Sequence, residues 1–214
     1  MLKIIVCGYK CINTISRCLR SIDMQTFKDY SVEKSIVDDS NRIYLLENTL
    51  NTIRRSKPEP EDVIVPIDAD DFLTDEYAFK IVSDAYKDNK DLLLTHGSYV
   101  NLSSSKTGKF CGEYKEGESF RTSPWRGSHL KTFKYKLFNQ IPDSEYSDVD
   151  GSYYKCCADR AMMIPMMEKA GYDRIKFIQM ILYCYNDMNP ISVWRTMKEE
   201  SKRIRNRITN YEVS

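Results

Sequence analysis

Val63-Ile64-Val65-Pro66-Ile67 runs straight into Asp68-Ala69-Asp70-Asp71, an apolar run that ends in three carboxylates. Pro60 precedes it and a turn-forming segment follows, so its length and boundaries fit a buried strand of an α/β sheet better than a helix. Open α/β sheets bind ligands beyond the carboxyl ends of their strands, which is where these acids fall. Neighbouring carboxylates repel one another unless a cation sits among them. Hard oxygen ligands suit Mg²⁺ or Mn²⁺, ions that keep several waters and take one or two carboxylates together with phosphate oxygens. The ligand implied is a metal-bound diphosphate. The competing reading is an acidic turn that caps the next helix. Thr74-Asp75-Glu76 has the pattern of a helix start with negative charge in its first turn, and can fill that role alone.

Working outward, the same strand-then-helix rhythm appears on both sides. Residues 2–7 are apolar enough for a central strand, and Asn13 can cap a helix whose Ile15, Cys18, Leu19 and Ile22 share one face. Residues 32–37 give a second strand that stops at Asp38-Asp39-Ser40, followed by a helix with Ile43, Leu46, Leu50 and Ile53 on its inner side. After the third strand, Ala78, Ile81, Val82 and Ala85 mark another helix. Three strands alternating with three helices predict an α/β fold, with a mostly parallel sheet flanked by helices. Residues 92–95 read as a fourth strand, and residues 103–122, rich in Ser, Gly, Lys and Glu, as a hairpin or loop at the rim. Residues 159–170 form a helix stopped by Gly171, its methionines packing into the core. Residues 176–185 form a further strand, and Pro190 opens a last helix that turns strongly basic by Arg203-Ile204-Arg205-Asn206-Arg207.

A chain of 214 residues supports one sizeable core, and 32 Lys plus Arg against 31 Asp plus Glu leaves no global field for nucleic acid or an anionic membrane. A small-molecule partner is expected. No apolar run is long enough to span a bilayer, and the N-terminus reads as a first strand rather than a signal peptide. Seven cysteines without a C-x-x-C pair, and two histidines far apart, argue against zinc. Several of these cysteines sit inside apolar patterns, which suits buried thiols without disulfides and a cytoplasmic location.

Three strand ends now fall in order: Gly8-Tyr9-Lys10, Asp38-Asp39-Ser40 and Asp68-Ala69-Asp70. Together with the helix end Cys18-Leu19-Arg20-Ser21-Ile22-Asp23-Met24-Gln25-Thr26-Phe27, this order resembles the nucleotide-sugar-dependent glycosyltransferases of the GT-A fold, especially the large inverting family 2. The match is specific through about residue 80 and loose afterwards. The resemblance implies a Rossmann-like GT-A fold in a single unit over residues 1–214. Residues 1–100 would be the nucleotide-sugar-binding half, residues 101–190 the acceptor half, and residues 191–214 a C-terminal helix or a lead into a further domain. It implies a donor site built from Gly8, Tyr9, Asp38, Asp39, Asp68, Ala69 and Asp70. In that site Tyr9 and one of Asp38 or Asp39 meet a uracil-type base and Asp68 lies near the ribose. Asp70, with Asp68 beside it, ligates Mn²⁺ or Mg²⁺. An inverting transfer also needs a general base at the acceptor hydroxyl. The slot where the family places Glu-Asp reads Cys156-Cys157-Ala158-Asp159-Arg160 here, so Asp159 is the base implied, with helix capping as its alternative role.

Trp125 and His129, in Trp125-Arg126-Gly127-Ser128-His129, are the acceptor-side candidates, because aromatic faces pack on sugar rings and polar tips orient hydroxyls. The acceptor expected is a glycan or glycoprotein. Asp143, Glu145, Asp148 and Asp150 form an acidic loop that reads as solvated surface, with a second base or metal ligand as the alternative. The Gly- and Asn-containing segment that commonly precedes the family's acidic motif is missing, as is the Gln-x-x-Arg-Trp signature of processive synthases. Two enzyme rivals fit less well. A haloacid-dehalogenase-type phosphatase places its Asp-x-Asp on the first strand, and a nucleotidyltransferase needs a Gly-rich loop where Cys7-Gly8-Tyr9-Lys10 stands. An inactive sugar-nucleotide-binding module is the non-enzymatic alternative.

Overall fold

Alternate residues of the first strand face opposite ways, and both faces are apolar: Ile4 and Val6 pack into one cluster, Ile5 and Cys7 into another. A strand buried on both sides needs helices on both sides. The structure, a computed structural model that describes residues 1–38, 42–108 and 111–211, supplies them. Strand β1 (Leu2–Tyr9) is followed by α1 (Ile15–Asp23), β2 (Tyr30–Val37), α2 (Leu45–Arg55) and β3 (Val63–Asp68). A two-residue strand β4 (Phe72–Leu73) and helix α3 (Ala78–Asp88) come next. Then follow β5 (Leu94–Asn101), β6 (Ser128–Lys134), α4 (Tyr135–Phe138), α5 (Ala158–Ala170), β7 (Ile175–Tyr185), α6 (Val193–Thr196) and α7 (Lys198–Thr209). The seven strands form one sheet in the order β2-β1-β3-β6-β5-β7-β4. The long pairings, β1 with β2, β1 with β3 and β5 with β7, are parallel, and the antiparallel ones are short.

Helices α1 and α3 cover one face through Cys18, Ile22, Ala78, Phe79 and Val82. Helices α2, α5 and α7 cover the other through Leu46, Leu50, Ile53, the α5 methionines, Ile204 and Ile208. Met162, Met163, Met166 and Met167 are all buried, so the methionine helix is core. Five of the seven cysteines are buried.

The structure differs locally from the sequence reading in five places. Helix α1 starts after Thr14 rather than at Asn13, and Ile43 lies outside α2, exposed. Asp75 accepts from the Tyr77 amide at 2.7 Å in a turn, which delays α3 to Ala78. The last helix is two, broken at Met197. β6 lies in the middle of the sheet although its sequence, Ser128-His129-Leu130-Lys131-Thr132-Phe133-Lys134, shows no apolar alternation; every one of its residues is buried. Thr132 is satisfied by Thr95 and Tyr86, and Lys134 by the Lys90 carbonyl and Glu61.

Candidate active site

Parallel register brings the three strand ends to one rim. Tyr9 pairs with Val37 and Cys7 with Asp68, so Gly8-Tyr9, Asp38 and Asp68-Ala69 emerge side by side. The Ala69 amide donates to the Cys7 carbonyl at 2.8 Å, and the Lys10 amide to that of Val37 at 3.0 Å. Gly8 is required by this closeness: a β-carbon there would sit 2.6 Å from the Ala69 β-carbon and 2.8 Å from Cys11 Sγ. Gly8→Ala is therefore expected to push the Asp68–Asp71 turn outward and destabilise the protein by about 1–3 kcal/mol, the usual cost of overpacking, read by urea unfolding. The Tyr9 ring is faced by the Arg42 guanidinium at 4.6 Å, and Asp38 stands exposed beside it. Asp39 and Ser40 lie outside the described residues.

The acidic turn divides into distinct roles. Asp71 is fully buried, and its Oδ1 accepts from the Asn186 amide at 2.7 Å, pinning the turn to the end of β7. Burial, then the charges of Asp68 and Asp70, push Asp71 well above the ordinary carboxylate range. Asp70 is partly exposed; its Oδ2 accepts from Asn189 Nδ2 at 2.6 Å, and its carbonyl accepts from Arg17 at 3.2 Å. Asp68, also partly exposed, is pushed up to about 7 by burial. Lys131 opposes that rise, while Asp159 and Asp70 add to it.

β6 delivers the two residues that link this rim to Asp159. The His129 ring stacks on Tyr183 at 4.3 Å between centroids, and its Nε2 lies 3.7 Å from Asp159 Oδ2. Gly97, at a bulge in β5, lets the two strands close here, since a β-carbon on it would lie 3.0 Å from the His129 carbonyl. Two residues further along β6, Lys131, buried, donates to and pairs with Asp159. Asp159 occupies the first turn of α5, where the helix dipole favours negative charge. Its side chain remains 38% exposed, so one side of the carboxylate is open to solvent. Burial raises Asp159, but the Lys131 ammonium beside it outweighs that and holds the carboxylate below its ordinary range. His129 is pushed down to about 3, by burial and then by Lys131, and is neutral.

The residues present fit a divalent cation. Among the described residues, Asp68, Asp71 and His129 offer ligand atoms within 4.8 Å of one another. Asp71 Oδ2 and His129 Nδ1 are buried without a hydrogen-bond partner. Two carboxylates with a neutral imidazole suit Mn²⁺ better than the all-oxygen preference of Mg²⁺. Asp70 lies outside this tight group, with Oδ1 not engaged by Asn189. The structure thus joins Asp71 and His129 to the Asp68 and Asp70 read from the sequence, and places His129 at the acidic cluster. Trp125 is half-buried with the Arg160 guanidinium 5.2 Å from its ring. The acidic loop is elsewhere: Asp143 pairs with Arg54, Glu145 with Arg121, and Asp148 with Arg203 and Arg207. Lys131, Asn189, Arg17 and Tyr183 carry no motif, and only the fold brings them in.

The chain has a GT-A-like α/β fold, with the strand-end acids at its rim. No family model and no curated protein matches the sequence. Solved structures do match in fold. Residues 1–349 of TarS from S. aureus superpose with a TM-score of 0.62 at 13% identity, over 99% of this chain and 66% of that one. The same fragment in complex with UDP-GlcNAc gives 0.61 at 15% identity, over 100% and 68%. The mannosyltransferase PcManGT from Pyrobaculum calidifontis, in complex with GDP-Man and Mn²⁺, gives 0.60 at 15% identity, over 100% and 65%. The chain spans about two thirds of the length of these structures. No helix among the described residues is long and apolar enough to cross a membrane.

Proposed function

We propose that the chain transfers a sugar from a nucleoside-diphosphate sugar, with UDP as the nucleotide, to a hydroxyl of a glycan or glycoprotein acceptor, with inversion at C1. One observation carries this reading: β6 and α5 bring Asp159, far away in sequence, to the rim that holds Asp68 and Asp70, with His129 between. A leaving-group site and a proton acceptor would then lie side by side at one rim. The solved relatives in fold add support, being complexes with UDP, UDP-GlcNAc and GDP-Man.

In this mechanism the Tyr9 ring and Asp38 hold the base, the aromatic face stacking on it and the carboxylate accepting its N–H. Asp70, Asp68, Asp71 and His129 are the residues that would hold a divalent ion. Bound there, such an ion offsets the negative charge growing on the departing diphosphate. Asp159, kept ionised by Lys131, accepts the proton of the acceptor hydroxyl as that oxygen attacks C1. His129, neutral and stacked on Tyr183, fixes the floor between the two carboxylates.

The test is a panel of UDP- and GDP-sugars with Mn²⁺, following release of nucleoside diphosphate. Slow release that stops with a chelator is expected. A ligand at 100 times its Kd stabilises by about 2.7 kcal/mol, or roughly 5–11 °C in Tm for a chain of this size. Mn²⁺ with UDP should produce a shift of that order, and Asp70→Asn should abolish it. No release from any donor, together with no thermal shift, sinks the reading.

A further inference from the structure

In the C-terminal half, four arginines have carboxylate partners: Arg121 pairs with Glu145 and Glu168, Arg126 with Glu118, and Arg203 and Arg207 with Asp148. Among the described residues Arg160, Arg174, Arg195 and Arg205 pair with no carboxylate; Arg174 and Arg195 are exposed and bond backbone carbonyls, whereas Arg160 and Arg205 are partly buried. Arg160 directly follows Asp159 and stands in the first turn of α5, the end of a helix where a cation is least favoured. Trp125 holds its guanidinium at 5.2 Å. Arg205 stands on α7, which meets the start of α5: the Cys157 thiol donates to the Ser201 carbonyl at 3.4 Å, and Arg205 lies one helical turn beyond Ser201, on the same side of the helix. The two guanidinium groups repel each other: Arg160 is lowered by burial first and then by Arg205.

Resting on the transferase reading above, we infer that Arg160 and Arg205, with Trp125 at their flank, form an anion subsite for the acceptor, which carries a phosphate or carboxylate close to the hydroxyl that Asp159 activates. Two like charges partly out of water are costly to keep unpaired, and an anion between them removes that cost. Guanidinium forks match the paired oxygens of phosphate or carboxylate, and the indole face suits the sugar ring that carries them. The donor diphosphate has a rim of its own, at Asp70 beside Arg17. The acceptor class is therefore an anionic glycan, either a sugar phosphate or a uronic acid.

The experiment titrates the full chain by calorimetry with glucose, glucose 6-phosphate and glucuronate, and separately with UDP plus Mn²⁺, at low and high salt. At least one charged sugar should bind about ten-fold or more tightly than glucose, the worth of one charge-assisted hydrogen bond. The preference should shrink in high salt. Whether phosphate or uronate leads tells which anion the acceptor bears. R160Q and R205Q should each remove most of the preference, and R160K and R205K, which keep the charge, should restore part of it. UDP affinity should fall less than sugar-anion affinity. Equal binding of all three sugars, or a preference surviving in the R160Q/R205Q double variant, overturns the subsite. UDP affinity falling as far as sugar-anion affinity does too, by assigning the arginines to the donor. An Arg-dependent anion preference without release of nucleotide from any donor would leave the subsite standing and remove the transferase reading instead.

Discussion

Replacing Asp159 by Asn is expected to slow release of nucleoside diphosphate from the donor, and transfer to an acceptor, by about 10²–10⁴-fold, the usual contribution of a positioned general base. Donor affinity should hardly change, because the groups assigned to the nucleotide lie at the ends of β1, β2 and β3. The complication is Lys131. It is buried, and its ion pair is with Asp159, so the Asn variant strands a charged ammonium and costs stability besides activity. A double-mutant cycle separates the two effects. In Lys131→Met/Asp159→Asn both charges are gone, and stability should recover toward that of the parent protein while turnover stays at the level of Asp159→Asn. Had Asp159 served only to cap α5 and neutralise Lys131, the double variant would regain activity along with stability. Lys131→Met alone tests the other half of the pair. Removing the cation beside Asp68 and Asp159 leaves the acids less compensated, so Mn²⁺ binding should tighten while turnover falls. A purely structural lysine would weaken both.

The half of the fold legible in the sequence is the half whose signals are local. Val63 to Ile67 and Leu2 to Cys7 are uninterrupted apolar runs, and the helices after them repeat their apolar residues at helical spacing, so register alone put Gly8, Asp38 and Asp68 on one rim. β6 left no such trace. Both of its faces are buried, and beside Leu130 and Phe133 they carry Ser, His, Lys and Thr whose partners lie far away in sequence, so no strand period shows. In the sequence His129 shows only as a polar residue near an aromatic one, which points to the acceptor side, whereas its burial against Tyr183 and its nearness to Asp68 depend on β6. Asp71 carries the same lesson: three acids within four residues do not say which one turns inward, and Asn186, whose amide donates to it, comes just after the end of β7. Asp159 was legible only through the resemblance, since one acid at a helix start is equally a cap.

Arg121→Ala is expected to cost about 3–5 kcal/mol, the range for removing one member of a buried charge network. Tm should then fall by roughly 6–20 °C for a chain of this size. Arg121 lies within the irregular segment between β5 and β6 and is buried there. Its guanidinium reaches three separate elements. Nε and Nη2 donate to Glu168 of α5 at 2.8 and 2.6 Å, Nη2 also to Glu145 at 3.2 Å, and Nη1 to the Ile208 carbonyl of α7 at 2.9 Å. Alanine would leave Glu145 as a buried carboxylate without its cation and the Ile208 carbonyl without its donor. Arg121→Lys keeps the charge but lacks the planar fork, so it should recover only part of the loss. Urea unfolding of Arg121→Ala beside Arg121→Met/Glu145→Gln decides whether the unpaired acid dominates: the double variant should be the more stable of the two. A loss below about 1 kcal/mol, the level of an exposed ion pair, would show that the network is solvated and contributes little. The consequence for function runs through α5, which has Glu168 near its C-terminus and Asp159 and Arg160 at its N-terminus. Loosening the Arg121 network frees α5 and α7 from each other, so activity should decline at temperatures below the main unfolding transition.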